Sequence, residues 1–256
     1  MKKIIALLMA MLMVLMCSAA FAGEVEDIQA KGKLVVGITD FEPMDYKNAD
    51  GEWIGFDADV AKAFAESLGV EVEFMEIEWD NKILELNGKT IDCVWNGMTL
   101  TDEVKSAMDC SNAYANNAQV VILPVDAVEK YPDVASMSGL NFAVEAGSAG
   151  ESEVAALGYN TTPVTSQAAA LMEVAAKTSD AAVIDSLMAA AMVGEGTGYE
   201  QLTYTYGLNS EEYGVGFRKG SDLVEALNSF LKAAYEDGSL LAIAETYGVQ
   251  AAIIAQ

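Results

Sequence analysis

The chain contains no histidine, a single arginine and three cysteines, and it carries 14 basic residues against 39 acidic ones. Without histidine it lacks the commonest general base of enzymes and a favoured zinc ligand. The shortage of cations, with a formal net charge of −25, argues against a phosphate-backbone partner such as nucleic acid and against adsorption on anionic lipid. After the N-terminal segment no run is long and apolar enough to cross a bilayer. Internal repeats, low-complexity stretches and flexible linkers are also missing.

The N-terminus has the form of a secretory signal. Lys2 and Lys3 precede an unbroken apolar run from Ile4 to Met16, and Ala20-Phe21-Ala22 offers small residues on either side of a bulky one. Residues 1–22 are therefore expected to be a signal peptide cut before Gly23. Cys17 leaves an alternative open, a lipid-anchored N-terminus, although Met16 is larger than the residue usual before a lipidated cysteine. Either route places the mature chain in the periplasm or outside the cell. Cys93 and Cys110 then remain, and they are read either as a disulfide, which an exported setting permits, or as two small buried residues in strands.

Hydrophobic residues make up 52% of the sequence, ample for a core. Lys33 to Ile38, Ile91 to Trp95, Val120 to Leu123, Asn141 to Val144, Ala181 to Ile184 and Val215 to Phe217 read as strands. Asp57 to Leu68 puts Val60, Ala61, Phe64, Ala65 and Leu68 on one helical face, with Asp57 and Asp59 at its positive end. Short helical patterns follow over Asn81 to Leu86 and Ser166 to Ala176, and two helices, Leu223 to Glu236 and Leu240 to Tyr247, close the chain. The alternation predicts an α/β fold.

Five segments together resemble the amino-acid-binding solute receptors of ABC importers, the extracellular solute-binding proteins of family 3. They are Leu34-Val35-Val36-Gly37 with Pro43-Met44; Gly55-Phe56-Asp57-Ala58-Asp59-Val60-Ala61; Ile91-Asp92; Gly97-Met98-Thr99-Leu100-Thr101-Asp102-Glu103; and Tyr213-Gly214-Val215-Gly216-Phe217-Arg218-Lys219-Gly220-Ser221. The resemblance implies a two-lobed periplasmic-binding-protein fold of type II, each lobe a mixed sheet flanked by helices, joined by two hinge strands. Lobe one would span residues 23–118 and 212–256, and lobe two residues 119–211. A small amine-bearing solute would be trapped between the lobes and handed to an ABC permease by a monomeric receptor, with no cofactor, metal or catalytic residue.

The resemblance also implies ligand-binding residues. Gly97 carbonyl and the Thr99 hydroxyl would meet the ligand's ammonium, and the amide of Thr99, in the Gly97-Met98-Thr99 step from strand to helix, its carboxylate. Thr99 or Thr101 as an ordinary helix cap is the plainer reading. Asp185 matches the acidic residue that pairs with the ammonium, its alternative being a solvated cap of the following helix. Phe41 and Trp79 match aromatic positions lining the pocket, or else core. Gly147-Ser148-Ala149 resembles the turn whose amides face the carboxylate.

One departure stands out. In the family an arginine follows the glutamate of Gly-Met-Thr-x-Thr-x-Glu and clamps the carboxylate; here Glu103 is followed by Val104. Lys105 lies about 100° further round a helix, and Arg218 matches an exposed family position. Glu145 stands where some relatives have lysine. Either Lys82 or water neutralises the carboxylate, or the ligand has none. The two competing readings are a sensor without transport and a dehydratase-like enzyme on the same fold, with Glu145 as its acid.

Overall fold

The computed structural model describes residues 23–256; the signal peptide expected at 1–22, with Cys17, lies outside the described residues. In chain order the elements are α1 (Glu24–Lys31), β1 (Lys33–Ile38), β2 (Tyr46–Lys47), β3 (Trp53–Ile54), α2 (Phe56–Ser67), β4 (Glu71–Glu76), α3 (Lys82–Asn87), β5 (Cys93–Thr99), α4 (Asp102–Ala107), β6 (Asp109–Cys110), β7 (Ala115–Asn117) and β8 (Gln119–Pro124). There follow β9 (Asn141–Glu145), α5 (Ala149–Leu157), β10 (Asn160–Val164), α6 (Gln167–Ala175), β11 (Ala181–Asp185), α7 (Ser186–Met192), β12 (Leu202–Gly207), β13 (Glu211–Phe217), α8 (Leu223–Glu236) and α9 (Ser239–Thr246).

These strands make two large mixed sheets. The first runs β4-β1-β5-β13-β6, with β7 also paired to β13; the second runs β10-β9-β11-β8-β12. The chain passes from the first sheet to the second between β7 and β8, and returns between β12 and β13. Near-continuous apolar strands follow from burial on both faces. In β1, Leu34, Val36 and Ile38 share a core with Phe64, Trp95, Leu227 and Leu231, while Val35 belongs to a separate cluster with Leu86, Val94, Met98 and Val104. The second sheet divides likewise: Val121, Phe142, Val144 and Val183 pack with Val154, and Ile122, Ala143, Ala182 and Ile184 pack with Leu171 and Val174.

Helix α2 is tied to β5 through a carboxylate. Asp57, expected at the positive end of the helix, is fully buried. Its Oδ2 accepts from the Gly97 amide (2.6 Å) and the Tyr114 hydroxyl (2.7 Å). The residue before the helix, Gly55, has φ of 125°, and a Cβ there would meet the Met44 carbonyl at 2.2 Å, so only glycine allows this close approach.

Two expectations are corrected and one open alternative is decided. The strand does not give way to a helix at Gly97-Met98-Thr99: β5 runs through Thr99, which is paired with Tyr213, and α4 starts at Asp102. Thr101 is the cap, its side chain accepting from the Val104 amide at 3.1 Å. Arg218 is largely buried rather than exposed; it pairs with Glu24 and donates to the carbonyls of Leu86 (3.0 Å) and Ile91 (2.7 Å). Cys93 and Cys110 are both free thiols, and burial pushes Cys93 far above the usual thiol range.

Candidate functional site

Between the two sheets lies a narrow cavity of about 50 Å³. On the same measure one water needs ~10–15 Å³, so the space suits a small solute. Trp79, Lys82, Gly97, Met98, Thr99 and Val104 line it from the side of the first sheet, and Glu145, Ser148, Ala149 and Asp185 from the side of the second. Phe41 is not among the lining residues. It is 1% exposed, sits edge-on to Tyr213, and lies behind Gly97, where an added Cβ would meet its ring at 2.5 Å. Its ring supports the Gly97 backbone from the core, and the pocket role expected of it is withdrawn.

The ends of neighbouring strands place the acids. Glu145 closes β9 and Asp185 closes β11, and these two strands run parallel side by side. Asp185 is buried, not a solvated cap. Its side chain accepts from Gln119 Nε2 at 2.7 Å and from the amides of Asn117 and Gln167, while its backbone amide donates to Gln167 Oε1 at 2.8 Å. Burial, then the nearby Glu211 charge, raises its carboxyl well above the usual carboxylate range. Glu145 is 3% exposed and its Oε1 has no hydrogen-bond partner among the described residues. Burial and the Asp185 charge push its carboxyl up to about 8.

Lys82 spans the cleft. From the first turn of α3 its Nζ donates to the carbonyls of Trp79 (3.3 Å) and Gly147 (2.9 Å), and it lies 4.9 Å from the centre of the Trp79 ring. Burial lowers its ammonium below the usual lysine range, opposed by Glu145, Glu103 and Asp80. Gly147 lets the two sides touch: its φ is 71°, and a Cβ there would stand 2.7 Å from the Asp80 backbone. The next residue, Ser148, caps α5 by accepting from the Glu151 amide (3.0 Å), and the Glu151 carboxylate in turn accepts from the Gly147 amide (2.8 Å).

Several lining and bridging groups escaped the sequence reading. Glu211, at the start of β13, accepts from the Thr99 hydroxyl (2.9 Å), Asn117 (2.7 Å) and Gln119 (2.7 Å) on one oxygen. Asn96, Gln119 and Gln167 also face the cavity. Gln119, Gln167 and Glu211 open a strand or helix, where no local pattern distinguishes them from solvated ends, and Asn96 is a lone polar residue within β5. Val104, where a carboxylate-clamping arginine is expected, is 5% exposed and packs with Met98 and Met108. Lys105 does not line this cavity.

Two α/β lobes closed on a polar cleft define a protein that traps a small ligand rather than one that builds an open reaction surface. The chain belongs to the bacterial extracellular solute-binding proteins, family 3, which it matches over residues 34–250. It is similar to the arginine-binding extracellular protein ArtP of Bacillus subtilis (strain 168), with 28% identity over 248 residues covering 94% of this chain and 95% of that one. Among solved structures, holo ArgBP from T. maritima matches with a TM-score of 0.78 at 31% identity, over 87% of this chain and 99% of that one. The ancestral amino acid-binding protein AncCDT-1, a precursor of cyclohexadienyl dehydratase, matches with a TM-score of 0.80 at 30% identity, over 88% and 99% respectively. Proteins of this family are extracytoplasmic and serve ABC importers.

Proposed function

We propose that this chain is the monomeric receptor of an ABC importer and that it captures an amine-bearing solute, an amino acid or a derivative of one, between lobes spanning 23–118 plus 212–256 and 119–211. The single observation that carries the reading is the buried Glu145–Asp185 pair lining the closed cleft. Two carboxyls that have lost their water call for a cation, and an ammonium supplies one with hydrogen-bond donors. The two chain crossings between the sheets support hinged closure. Gly97, Met98 and Thr99 from one side and Ser148, Ala149 and Asp185 from the other are the contacting residues, with Trp79 as the apolar wall.

Binding without turnover is the favoured role. AncCDT-1 is described as the precursor of a dehydratase, so the scaffold is compatible with catalysis. Here Glu145 is an acid of suitable pKa, but no second titrating partner of the histidine type exists in the chain. The test is calorimetric titration of the Gly23–Gln256 chain, unfolded and refolded to strip carried-over solute, against a panel of amino acids, amines and amino-acid amides. Saturable one-to-one binding to a member of the panel, with no product formed, is the expected outcome. Absence of binding across the panel counts against the reading.

A further inference from the structure

The charges around the cavity are out of balance. Three acids line it, Glu103, Glu145 and Asp185, against one cation, Lys82. That cation already donates to two carbonyls and faces the Trp79 ring. Of the side-chain amides on the wall, Gln119 and Gln167 donate to Asp185 and Asn96 donates to the Thr39 hydroxyl. Thr39 and Gln167 lie close enough to Glu145 to favour its ionised form, yet its Oε1, buried in the cavity wall, has no hydrogen-bond partner among the described residues. A ligand carboxylate entering this cleft would press against buried carboxyls that already resist ionising, with Val104 where a guanidinium would answer it. A ligand made of donors and positive charge would instead satisfy what the wall leaves open.

The placement of the acids adds a second point. Glu145 and Asp185 end adjacent parallel strands, one residue out of register, and both line the same cavity. Asp185 accepts two amide donors on Oδ1 and one on Oδ2, so Oδ2 keeps room for a further donor, and Glu145 Oε1 is without a partner among the described residues. The two carboxyls are thus separate acceptor sites within reach of one short ligand.

We propose that the cleft takes a carboxylate-free dication, a short alkyl diamine or guanidinoalkylamine, with one cationic nitrogen group on Asp185 and the other on Glu145, and that Glu145 and Val104 together set this choice. The proposal rests on the receptor reading above and narrows its ligand class.

The test is titration of the refolded Gly23–Gln256 chain with matched sets of ligands: 1,4-diaminobutane and 1,5-diaminopentane, n-pentylamine, lysine, and the arginine–agmatine pair. The diamines or agmatine are expected to bind at least 10-fold more tightly than lysine, arginine and pentylamine. In Glu145→Gln, which keeps size and hydrogen bonding, the advantage of diamine over pentylamine is expected to fall at least 10-fold, with the thermal unfolding transition retained. Val104→Arg is expected to shift preference toward lysine and arginine. Lysine or arginine binding as tightly as its decarboxylated counterpart overturns the dication proposal and leaves the receptor reading standing. So does pentylamine matching the diamines, or a Glu145→Gln variant that folds and keeps the full diamine advantage. Failure of every ligand in the set and of the wider panel overturns both.

Discussion

At the scale of the residue, burial in the cleft makes its carboxyls hard to ionise. The Glu145 carboxyl titrates near 8, above its ordinary value, so the folded chain holds a proton there that the unfolded chain releases at lower pH. Stability from this group is complete below the unfolded pKa and is lost as pH rises toward 8. The ligand-free protein should therefore lose thermal stability between pH 5 and pH 8. Glu145→Gln should flatten that slope, as followed by melting temperature, each kcal/mol appearing as about 2–4 °C in a chain of this size. A slope unchanged in the variant would place the titration elsewhere, burial also raising the carboxyls of Asp40, Glu42, Asp45, Asp57 and Asp185. A cationic ligand reverses the trend, because it binds the ionised form. Its affinity should rise with pH up to about 8, and titrations in buffers of different ionisation enthalpy should show protons released on binding.

At the scale of the element, two short pieces control how the walls meet. Gly147 allows the β9–α5 turn to touch the Asp80 backbone. Gly147→Ala should leave the unliganded melting temperature within a few degrees but weaken ligand binding at least 10-fold, since closure is what the added methyl opposes; equal affinity would mean that the lobes need not approach this closely. Thr101 caps α4, the helix that carries Val104 into the cavity. Thr101→Ala should cost about 1 kcal/mol, the usual worth of such a cap, measurable by urea unfolding. Elements with strong period were legible in the sequence: β1 and α2 appear within one residue of where their apolar patterns put them, and α8 at both of its ends. Helix α5 was not, because Ala149–Leu157 carries small residues and a glycine, with Val154 and Gly150 alone buried. Strand β12 escaped too, its Thr and Tyr residues lying largely at the surface. Gly97, Thr99 and Asp185, which line the cavity, were legible because they sit in recognisable runs. Gln119, Gln167 and Glu211 were not, since each reaches Asp185 or its neighbours only through the crossing of distant strands. Phe41 was misplaced for the converse reason: an aromatic next to a glycine-bearing strand end looks the same whether its ring faces the cavity or props the strand from behind.

At the scale of the whole molecule, the polar links between the two sheets run through Lys82–Gly147 and through the Glu211 cluster. These few contacts suit an equilibrium between open and closed forms that ligand can tip. Small-angle scattering should show a smaller radius of gyration for the refolded chain when saturated with ligand than without it, and Lys82→Ala should shift the unliganded chain toward the larger value. A radius indifferent to ligand would exclude hinged closure. The fold also fixes where the ends lie. Helix α1 is pinned to the first sheet's side by Val25 to Asp222 and by Glu24 to Arg218, and Ile253 bridges to Ala115 on β7. Both ends of the described chain therefore ride on the same moving body. A pair of fluorescent reporters fused to the two termini would keep a constant separation and stay silent, whereas one reporter at the C-terminus and another inserted beside Gly139, in the loop before β9, would turn capture of the solute into a change in energy transfer.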